Sequence, residues 1–317
     1  MGTTTRRLIG AASLALMGTA GTALAYPDGP VTYVIPFNAG GESDVTARYQ
    51  QARFRDITGQ DMIVQYLPGA GGAQAWAGLN GIEGDGQTIM GTNLPHIVLQ
   101  PMLQDPGYKT EDITNVYMFH FTPDALMVAN DSPFQTVQDV IDAATAMPGG
   151  VTAGGSATNS ANHVANQIFM NETGVETTYI PYTGTGATET ALVGGEVDML
   201  WGYTTVAVRQ GDATRVLAVA TEERHPLFPD SPTFKELGIE MVGGAYRGIG
   251  VPASTPEEVR TQLSDIIGEI NADPSFREQM ENDGYALIDV PYSEMDSFMA
   301  ERIEAYTLIA EQLQSQQ

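Results

Sequence analysis

The chain has 317 residues, which is enough for two domains of ordinary size. Its 14 Lys and Arg stand against 39 Asp and Glu, and the resulting net charge of -25 excludes nucleic acid and anionic membrane surfaces as partners. The chain contains no cysteine, so disulfides and thiol chemistry are excluded as well.

Residues 1–25 have the pattern of a signal peptide. Arg6 and Arg7 form a basic start, residues 8–25 are predominantly apolar, and Ala23-Leu24-Ala25 is a small-x-small cleavage site. The arginine pair is compatible with both Sec and twin-arginine export. We therefore expect the mature protein to begin near Tyr26 and to act in the periplasm.

Two glycine-rich loops follow the first predicted strands. Apolar runs at 31–37 and 61–67 read as buried strands, and each precedes a loop that leads into a segment with helical spacing. The loop residues are Ala39, Gly40, Gly41, Ser43 and Asp44 in the first, and Ala70, Gly71 and Gly72 in the second. A glycine turn at a helix start offers unpaired backbone N–H groups, which predicts an anion site that needs no basic side chain. Ordinary tight turns between strand and helix are the alternative.

The pattern of alternating strands and helices continues through most of the chain. Further strands are predicted at 87–93, 113–121, 125–130, 151–155, 177–182, 197–203 and 215–221. Further helices are predicted at 73–82, 137–147, 162–172, 187–195, 256–271, 274–283 and 292–314. Strands that alternate with helices favour an α/β fold with parallel sheets covered on both faces. We expect two lobes, the first formed by residues 26–127 plus 250–317 and the second by residues 128–249.

The second predicted lobe repeats the loop chemistry of the first. Ser156, Thr158 and Asn159 follow one strand, and Thr183 and Gly184 follow the next. Because ligands of open α/β sheets sit beyond the carboxyl ends of the strands, the four loops predict a cleft between the lobes that closes on an anion. The alternative is that these Ser, Thr, Asn and Gly residues only cap helices.

A few other side chains are candidates for the cleft. His96 follows a strand end, and Tyr203 and Trp201 end another strand, where they form either an apolar wall or part of the core. Arg48 and Arg247 are candidate countercharges, although Arg48 lies one helical turn after Asp44 and is placed to pair with it. Asp44 itself either caps N–H groups or orients a water, a ligand hydroxyl or a ligand ammonium.

Several of these motifs resemble one known family. The segments PFNAGGESDVTAR, PGAGG, GDGQTIMGTN, IPYTGTGATETALVGGEVD and LAVATEERHPLFPDSPTFKELG occur in the order found in the extracytoplasmic solute receptors of tripartite tricarboxylate transporters, the TctC or Bug group. The resemblance runs from about Tyr26 to the C-terminus. It implies a two-lobed "Venus flytrap" periplasmic binding protein that acts as a monomer without a cofactor. Such a protein delivers an organic acid to the membrane permease subunits of its transporter.

The resemblance also implies roles for the loops. Residues 39–44 and 70–72 would hold one ligand carboxylate, largely through main-chain N–H groups and ordered water. Ser156, Thr158, Asn159, Thr183 and Gly184 would address the distal end of the ligand. A citrate-like tricarboxylate, a C4–C6 dicarboxylate and an aromatic carboxylate all remain candidates, because the wall of the second lobe distinguishes them.

Two other functions stay open from the residues. A periplasmic sensor that presents its liganded form to a signalling partner has the same sequence features as an uptake receptor. A secreted hydrolase would use Ser156 as nucleophile with His163 or His96 as base. However, the chain contains neither a G-x-S-x-G elbow nor an H-E-x-x-H motif, and its histidines are scattered. We therefore expect a binding protein and not an enzyme.

Overall fold

The computed structural model describes residues 1–2 and 26–314. The predicted signal peptide and its cleavage site at Ala23-Leu24-Ala25 fall outside the described residues. Within the described part of the chain, no helix combines the length and the apolar character that crossing a membrane requires.

The first third of the described chain forms a parallel βα unit. Its strands are β1 (Val31–Ile35), β2 (Met62–Tyr66) and β3 (Thr88–Leu94), and its helices are α1 (Glu42–Thr58), α2 (Ala73–Gly78) and α3 (His96–Leu103). β1 lies between β2 and β3 and is parallel to both. The glycine-rich loops follow the carboxyl ends of β1 and β2, so they lie at the same edge of the sheet, as expected.

The middle of the chain builds a second βα unit around one long strand. This strand, β4 (Thr114–Ala129), replaces the two shorter strands predicted at 113–121 and 125–130. The elements that follow are α4 (Val137–Ala146), β5 (Val151–Ser156), α5 (Ala161–Thr173), β6 (Thr177–Tyr182), α6 (Thr185–Val193), β7 (Met199–Tyr203), α7 (Thr204–Gln210) and β8 (Thr214–Val219). β5 is parallel to both β6 and β7.

The C-terminal segment returns to the first unit. It contains β9 (Gly244–Val251), α8 (Glu257–Ala272), α9 (Pro274–Asn282), β10 (Ala286–Val290) and α10 (Met295–Gln314). β9 pairs with β3 on one side and with the first part of β4 on the other, antiparallel in both cases. β10 pairs antiparallel with β4. The sequence pattern did not predict β9 or β10 as strands.

Among the described residues the strands form one ten-stranded sheet in the order β2-β1-β3-β9-β4-β7-β5-β6, with β8 and β10 paired to β4. The prediction of purely parallel sheets was therefore wrong. β4, β8, β9 and β10 run antiparallel to their neighbours, because the chain crosses between the two units along β4 and returns along β9.

The long strand β4 joins two lobes. Residues Thr114–Pro123 pair with β9, and residues Asp124–Met127 pair with β7. We use first lobe for the elements on the β9 side and second lobe for those on the β7 side. This pairing places the crossings near residues 123 and 244, a few residues before the predicted limits at 127 and 249, and the exact domain limits stay a prediction.

Each lobe has its own apolar core. Trp76, Phe54 and Ile89 belong to the core of the first lobe, which α8 and α10 cover. Trp201, Phe169 and Phe234 pack together in the second lobe. Apolar contacts also join the lobes, since Val164 of α5 packs with the first core. Polar contacts, such as that of Thr205 with Glu42, lie along the same surface, which contains the candidate site.

Candidate functional site

A small buried cavity lies where the two lobes meet. It has a volume of about 20 Å³, which is room for about one water molecule. The first lobe contributes Phe37, Asn38, Gly41, Glu42, Ser43, Asn93, His96 and Arg247, and the second lobe contributes Ser156, Gly184, Thr185 and Tyr203. The lobes must therefore separate before any larger molecule can enter.

Two helices begin at this cavity, one from each lobe. α1 begins at Glu42 after Gly41, and α6 begins at Thr185 after Gly184. Neither Gly41 nor Gly184 can cap its helix with a side chain, although the N–H of Glu42 donates to Thr185 Oγ1 of the opposite lobe at 3.2 Å. Helix N-termini carry unpaired N–H groups and the positive end of the helix dipole. The cavity walls therefore favour a negatively charged group.

The first glycine-rich loop touches the second lobe directly. A Cβ atom on Gly186 would lie 3.3 Å from the carbonyl carbon and oxygen of Gly40, and one on Gly41 would lie 3.2 Å from Thr185 Oγ1. At the rim of the cleft, Asn38 Nδ2 donates to Thr183 Oγ1 at 2.7 Å. Only residues without a side chain allow the two backbones to approach this closely.

The second glycine-rich loop also faces the second lobe. Gly71 has φ of +63°, and a Cβ on it would lie 2.9 Å from both the Cβ of Ala157 and Nε2 of Gln100. Gln100 Nε2 in turn donates to the carbonyl oxygen of Gly71 at 3.0 Å. Both glycine loops thus meet the loop that follows a strand of the opposite lobe, although residues 70–72 do not line the buried cavity.

A buried ion pair lies at the centre of the site. Glu42 Oε2 pairs with Arg247 Nη2, and the two side chains are 1% and 5% exposed. Thr205 of α7 donates its hydroxyl to Glu42 Oε1 at 3.0 Å. Burial alone would lower the pKa of Arg247, but the neighbouring carboxylate of Glu42 and the hydroxyl of Tyr203 raise it above its ordinary value. The guanidinium is therefore charged at every relevant pH.

Other contacts hold Arg247 in position. With the Asn93 amide turned so that its oxygen faces the guanidinium, Arg247 Nε donates to that oxygen at 2.8 Å. The guanidinium carbon lies 5.1 Å from the ring centroid of Tyr203, within cation–π range. Among residues 1–2 and 26–314, the Tyr203 hydroxyl is buried and has no hydrogen-bond partner. It is therefore available for a hydrogen bond at the cavity.

His96 provides a second unpartnered polar group. It begins α3 and packs edge-on against Phe37 and Trp76, with ring centroids 5.7 and 6.2 Å apart. Burial and the charge of Arg247 lower the pKa of His96 to about 3, so the ring is neutral at neutral pH. Its Nδ1 atom is buried without a partner. A neutral imidazole can donate or accept one hydrogen bond from a ligand there.

Ser156 belongs to a buried polar chain. Its hydroxyl donates to Asn162 Oδ1 at 2.6 Å, and Asn162 Nδ2 donates to Asp124 Oδ1 at 3.0 Å. Burial raises the pKa of Asp124 to about 8. His163 instead accepts from the backbone N–H of Asn159 and stacks on Tyr179. Ser156 therefore bonds to an amide and not to a histidine base.

The predicted site residues fall into three groups. The cavity is lined by Gly41, Ser43, His96, Ser156, Gly184 and Tyr203. Gly40, Gly71, Thr158 and Thr183 lie at the neighbouring contact between the lobes, and Ala39, Ala70, Gly72 and Asn159 belong to the same loops but do not line the cavity. Asp44 is turned away from the second lobe: it accepts from the N–H of Gly40 at 2.8 Å and from Tyr66 at 2.7 Å, and it pairs with Arg48 at 2.9 Å.

Two further expectations have clear outcomes. Arg48 contacts Asp44 and Tyr66, so it does not act as a countercharge in the cavity, whereas Arg247 lies at its centre. Trp201 does not line the cavity, because its indole N–H donates to Asn166 and its ring packs in the core of the second lobe.

Several cavity residues were missed by the sequence analysis. Glu42, Asn93 and Thr185 carried no sequence signal that separated them from helix-capping residues. The sequence analysis also did not single out Phe37, which lines the cavity, or Thr205, which bonds to Glu42. The available hint was that an acidic residue stands among the glycines of the first loop, and an isolated charge in a buried turn needs a partner. Among residues 1–2 and 26–314, no group of three or more His, Asp or Glu side chains is arranged to hold a metal ion.

Comparison with known proteins identifies the class of this fold. The periplasmic binding protein BugD superposes with a TM-score of 0.85 over 92% of this chain and 98% of its own, at 24% identity. The R. palustris protein Rpa4515, solved with adipate, gives a TM-score of 0.85 over 90% of this chain and 97% of its own, at 27% identity. The predicted fold is thus confirmed as that of a two-lobed periplasmic binding protein.

Sequence comparison identifies the family. A model described as the tripartite tricarboxylate transporter family receptor, TctC, matches residues 46–314. The UPF0065 protein of the gbd 5′ region of Cupriavidus necator is 30% identical over 311 residues, which cover 96% of this chain and 93% of its own. This chain belongs to the tripartite tricarboxylate transporter receptor family, as the motifs predicted. Members of this family are solute-binding proteins and not enzymes, which overturns the hydrolase alternative.

Proposed function

We propose that this protein is a periplasmic receptor that captures a small organic carboxylate between its lobes and delivers it to the membrane permease subunits of a tripartite tricarboxylate transporter. One observation carries the proposal. Two helix N-termini, at Glu42 and Thr185, come from opposite lobes and share a buried cavity with Arg247. A group that accepts from both termini stabilises the closed form, because it bonds to the two lobes only when they meet.

The relatives support the chemical class of the ligand. Rpa4515, which shares the fold and 27% of its residues with this chain, was solved with adipate, a dicarboxylate. A carboxylate needs several convergent hydrogen-bond donors, and each charge-assisted bond contributes about 1.5–3 kcal/mol. Four to six such bonds, less the cost of ordering ligand and lobes, correspond to binding in the micromolar range, about 8 kcal/mol.

A thermal-shift screen over a panel of organic acids tests the proposal. A ligand at a hundred times its dissociation constant stabilises the folded form by about 2.7 kcal/mol, which produces a clear rise in melting temperature. Binding should be reversible, stoichiometric and free of any chemical change in the ligand. If no carboxylate in the panel shifts the melting temperature, the proposal is wrong.

Replacing Arg247 provides the matched test. Arg247→Met keeps much of the side-chain length but removes the charge, so we expect a loss of affinity of about tenfold to a hundredfold. The control is Arg209→Met, since Arg209 pairs with Glu189 in the second lobe and does not line the cavity. Equal affinity in the two variants would exclude Arg247 from the site.

Delivery to a permease needs a separate experiment in cells. Uptake of the identified ligand should stop when the gene is deleted and return when it is restored. Ligand-dependent transcription with unchanged uptake would favour the alternative role of a periplasmic sensor.

A further inference from the structure

The charge balance of the cavity limits the ligands that it can accept, provided that the proposed receptor function is correct. Glu42 is the acidic and Arg247 the basic side chain among the residues that line the cavity. They form an ion pair with each other. An incoming ligand therefore meets the partial positive charge of the helix N-termini but no uncompensated charged side chain.

Glu42 is held firmly in this position. Arg247 and Thr205 bond to its two carboxylate oxygens, and its backbone N–H donates to Thr185 Oγ1 at 3.2 Å. Two of these three partners, Thr205 and Thr185, belong to the second lobe. In the closed form the carboxylate of Glu42 therefore remains next to whatever the lobes enclose.

Arg209 also feels the charge of Glu42, but its own charge is balanced by Glu189, and no other described group near the cavity changes this balance at neutral pH. His96 is buried and neutral, and its Nδ1 atom has no partner. Asp124, which reaches Ser156 through Asn162, is buried and has a pKa raised to about 8. The enclosed side chains thus carry one negative and one positive charge.

A dicarboxylate fits this arrangement poorly. Its negative charges would join Glu42 around the single guanidinium of Arg247, in a site from which closure removes most of the water. Enclosing uncompensated negative charge is costly, because neither solvent nor a countercharge stabilises it. An amino acid brings its own ammonium group, so that negative and positive charges alternate. An ionised carboxylate accepts up to about four hydrogen bonds, so Glu42 has capacity for an ammonium besides its two present partners.

We propose that Glu42 is a specificity-determining residue that selects amino-carboxylates, with the ligand ammonium bound to Glu42 and the ligand carboxylate bound to Arg247 and the helix N-termini. The hydroxyl of Tyr203 and Nδ1 of His96, both buried and unpartnered, offer neutral hydrogen bonds to the remainder of the ligand. The nearby residue Asp44 does not serve this role, because Arg48, Tyr66 and the N–H of Gly40 already occupy its carboxylate.

Isothermal titration calorimetry with matched ligand pairs tests the proposal. L-aspartate is compared with succinate, and L-glutamate with glutarate, because the members of each pair differ in the ammonium group. We expect the wild-type protein to bind the amino member of at least one pair more than tenfold more tightly. Glu42→Gln keeps the shape of the side chain and an oxygen for Thr205 but removes the charge, so it should reduce that preference at least tenfold.

The matched control changes a similar ion pair outside the cavity. Glu189 is largely buried, pairs with Arg209 and accepts from Gln210 Nε2 at 2.7 Å. Glu189→Gln should leave the preference between paired ligands unchanged. If Glu42→Gln does not fold because Arg247 is left unpaired, the double variant Glu42→Gln, Arg247→Gln removes both charges and should lose the discrimination in the same way.

The outcomes separate this inference from the proposed receptor function. Wild-type protein that binds succinate or glutarate at least as tightly as its amino partner would overturn the inference and leave the receptor intact. The same holds if it binds only acids without an ammonium group, such as citrate or adipate. If Glu42→Gln keeps the preference for the amino member of a ligand pair, Glu42 does not determine the specificity. Failure to bind any carboxylate would overturn both proposals.

Discussion

Thr205 donates its hydroxyl to the carboxylate of Glu42 at 3.0 Å, and the two residues belong to different lobes. Both side chains are buried, so the contact exists only when the lobes meet. When the lobes separate, water can take the place of each partner. The net contribution of the bond to closure is therefore much smaller than its strength in a dry interior.

Removing this hydroxyl should favour the open form. Thr205→Val keeps the shape of the side chain, but it leaves Glu42 Oε1 without its donor in the closed form. We expect closure to become less favourable by about 1–3 kcal/mol. Small-angle scattering without added ligand should show a larger radius of gyration, and calorimetry should show weaker ligand binding.

Thr145→Val is the control for this change, since Thr145 lies on the exposed face of α4 and donates within its own helix to the carbonyl of Ile141. It should change neither the scattering profile nor the affinity. If Thr205→Val behaves like the control, the hydrogen bond to Glu42 makes no measurable contribution to closure.

Gly71 should be intolerant of any side chain for two separable reasons. Its φ of +63° is unfavourable for other residues, and a Cβ would lie 2.9 Å from the Cβ of Ala157 in the opposite lobe. The first effect costs about 1–2 kcal/mol of folding stability. The second keeps the lobes from closing fully. Gly71→Ala should therefore lose most of the ligand-induced thermal shift while it keeps the circular dichroism spectrum of the wild type.

Gly59 offers a control that isolates the backbone effect. It has φ of +70° at the end of α1, and a Cβ on it would meet nothing within 4 Å. Gly59→Ala should lose a similar amount of folding stability but keep the full ligand-induced shift. A normal shift in Gly71→Ala would contradict the close approach of the second glycine loop to the second lobe.

The sequence predicted most of the fold because the βα pattern is local. The predicted strands 31–37 and 177–182 and the amphipathic helix 256–271 were found within a few residues of their observed limits. β9, which contains three glycines, and β10 were missed. Their partners lie far away in the chain, and no local pattern reports such pairing.

The site was predictable where it depends on the backbone and hidden where it depends on side-chain pairing. Gly41 and Gly184 precede helices in a way that the sequence shows directly. The ion pair between Glu42 and Arg247 joins residues 205 positions apart, so only the folded chain reveals it. Asp44 was predicted to bind ligand because its contacts with Tyr66 and Arg48 are evident only in the folded chain.

Buried histidines should limit stability on the acid side. Burial lowers the pKa of His163 to about 4 and, together with Arg247, that of His96 to about 3, whereas the ordinary value, which holds in the unfolded chain, is 6.5. The unfolded chain therefore binds more protons as the pH falls from about 6.5 to 4, and the free energy of unfolding decreases by up to about 1.4 kcal/mol per pH unit and histidine. His163→Gln should reduce this slope in denaturant titrations, and an unchanged slope would mean that His163 titrates normally in the fold.

Asp124 should produce the opposite slope between about pH 4 and 8. Burial raises its pKa from the ordinary 3.8 to about 8, so between these values the folded protein holds a proton that the unfolded chain has lost. Stability must then fall as the pH rises towards 8 and level off above it, again by up to about 1.4 kcal/mol per pH unit. Asp124→Asn keeps an oxygen for Asn162 Nδ2 and removes this titration alone, so from pH 6.5 to 8 the free energy of unfolding of the wild type should fall relative to that of the variant. The histidines are still half-protonated in the unfolded chain at pH 6.5, but they titrate alike in both proteins and cancel in the comparison. Parallel curves for the two proteins would show that Asp124 ionises normally, and the buried chain from Asp124 through Asn162 to Ser156 would then carry a negative charge beside the cavity.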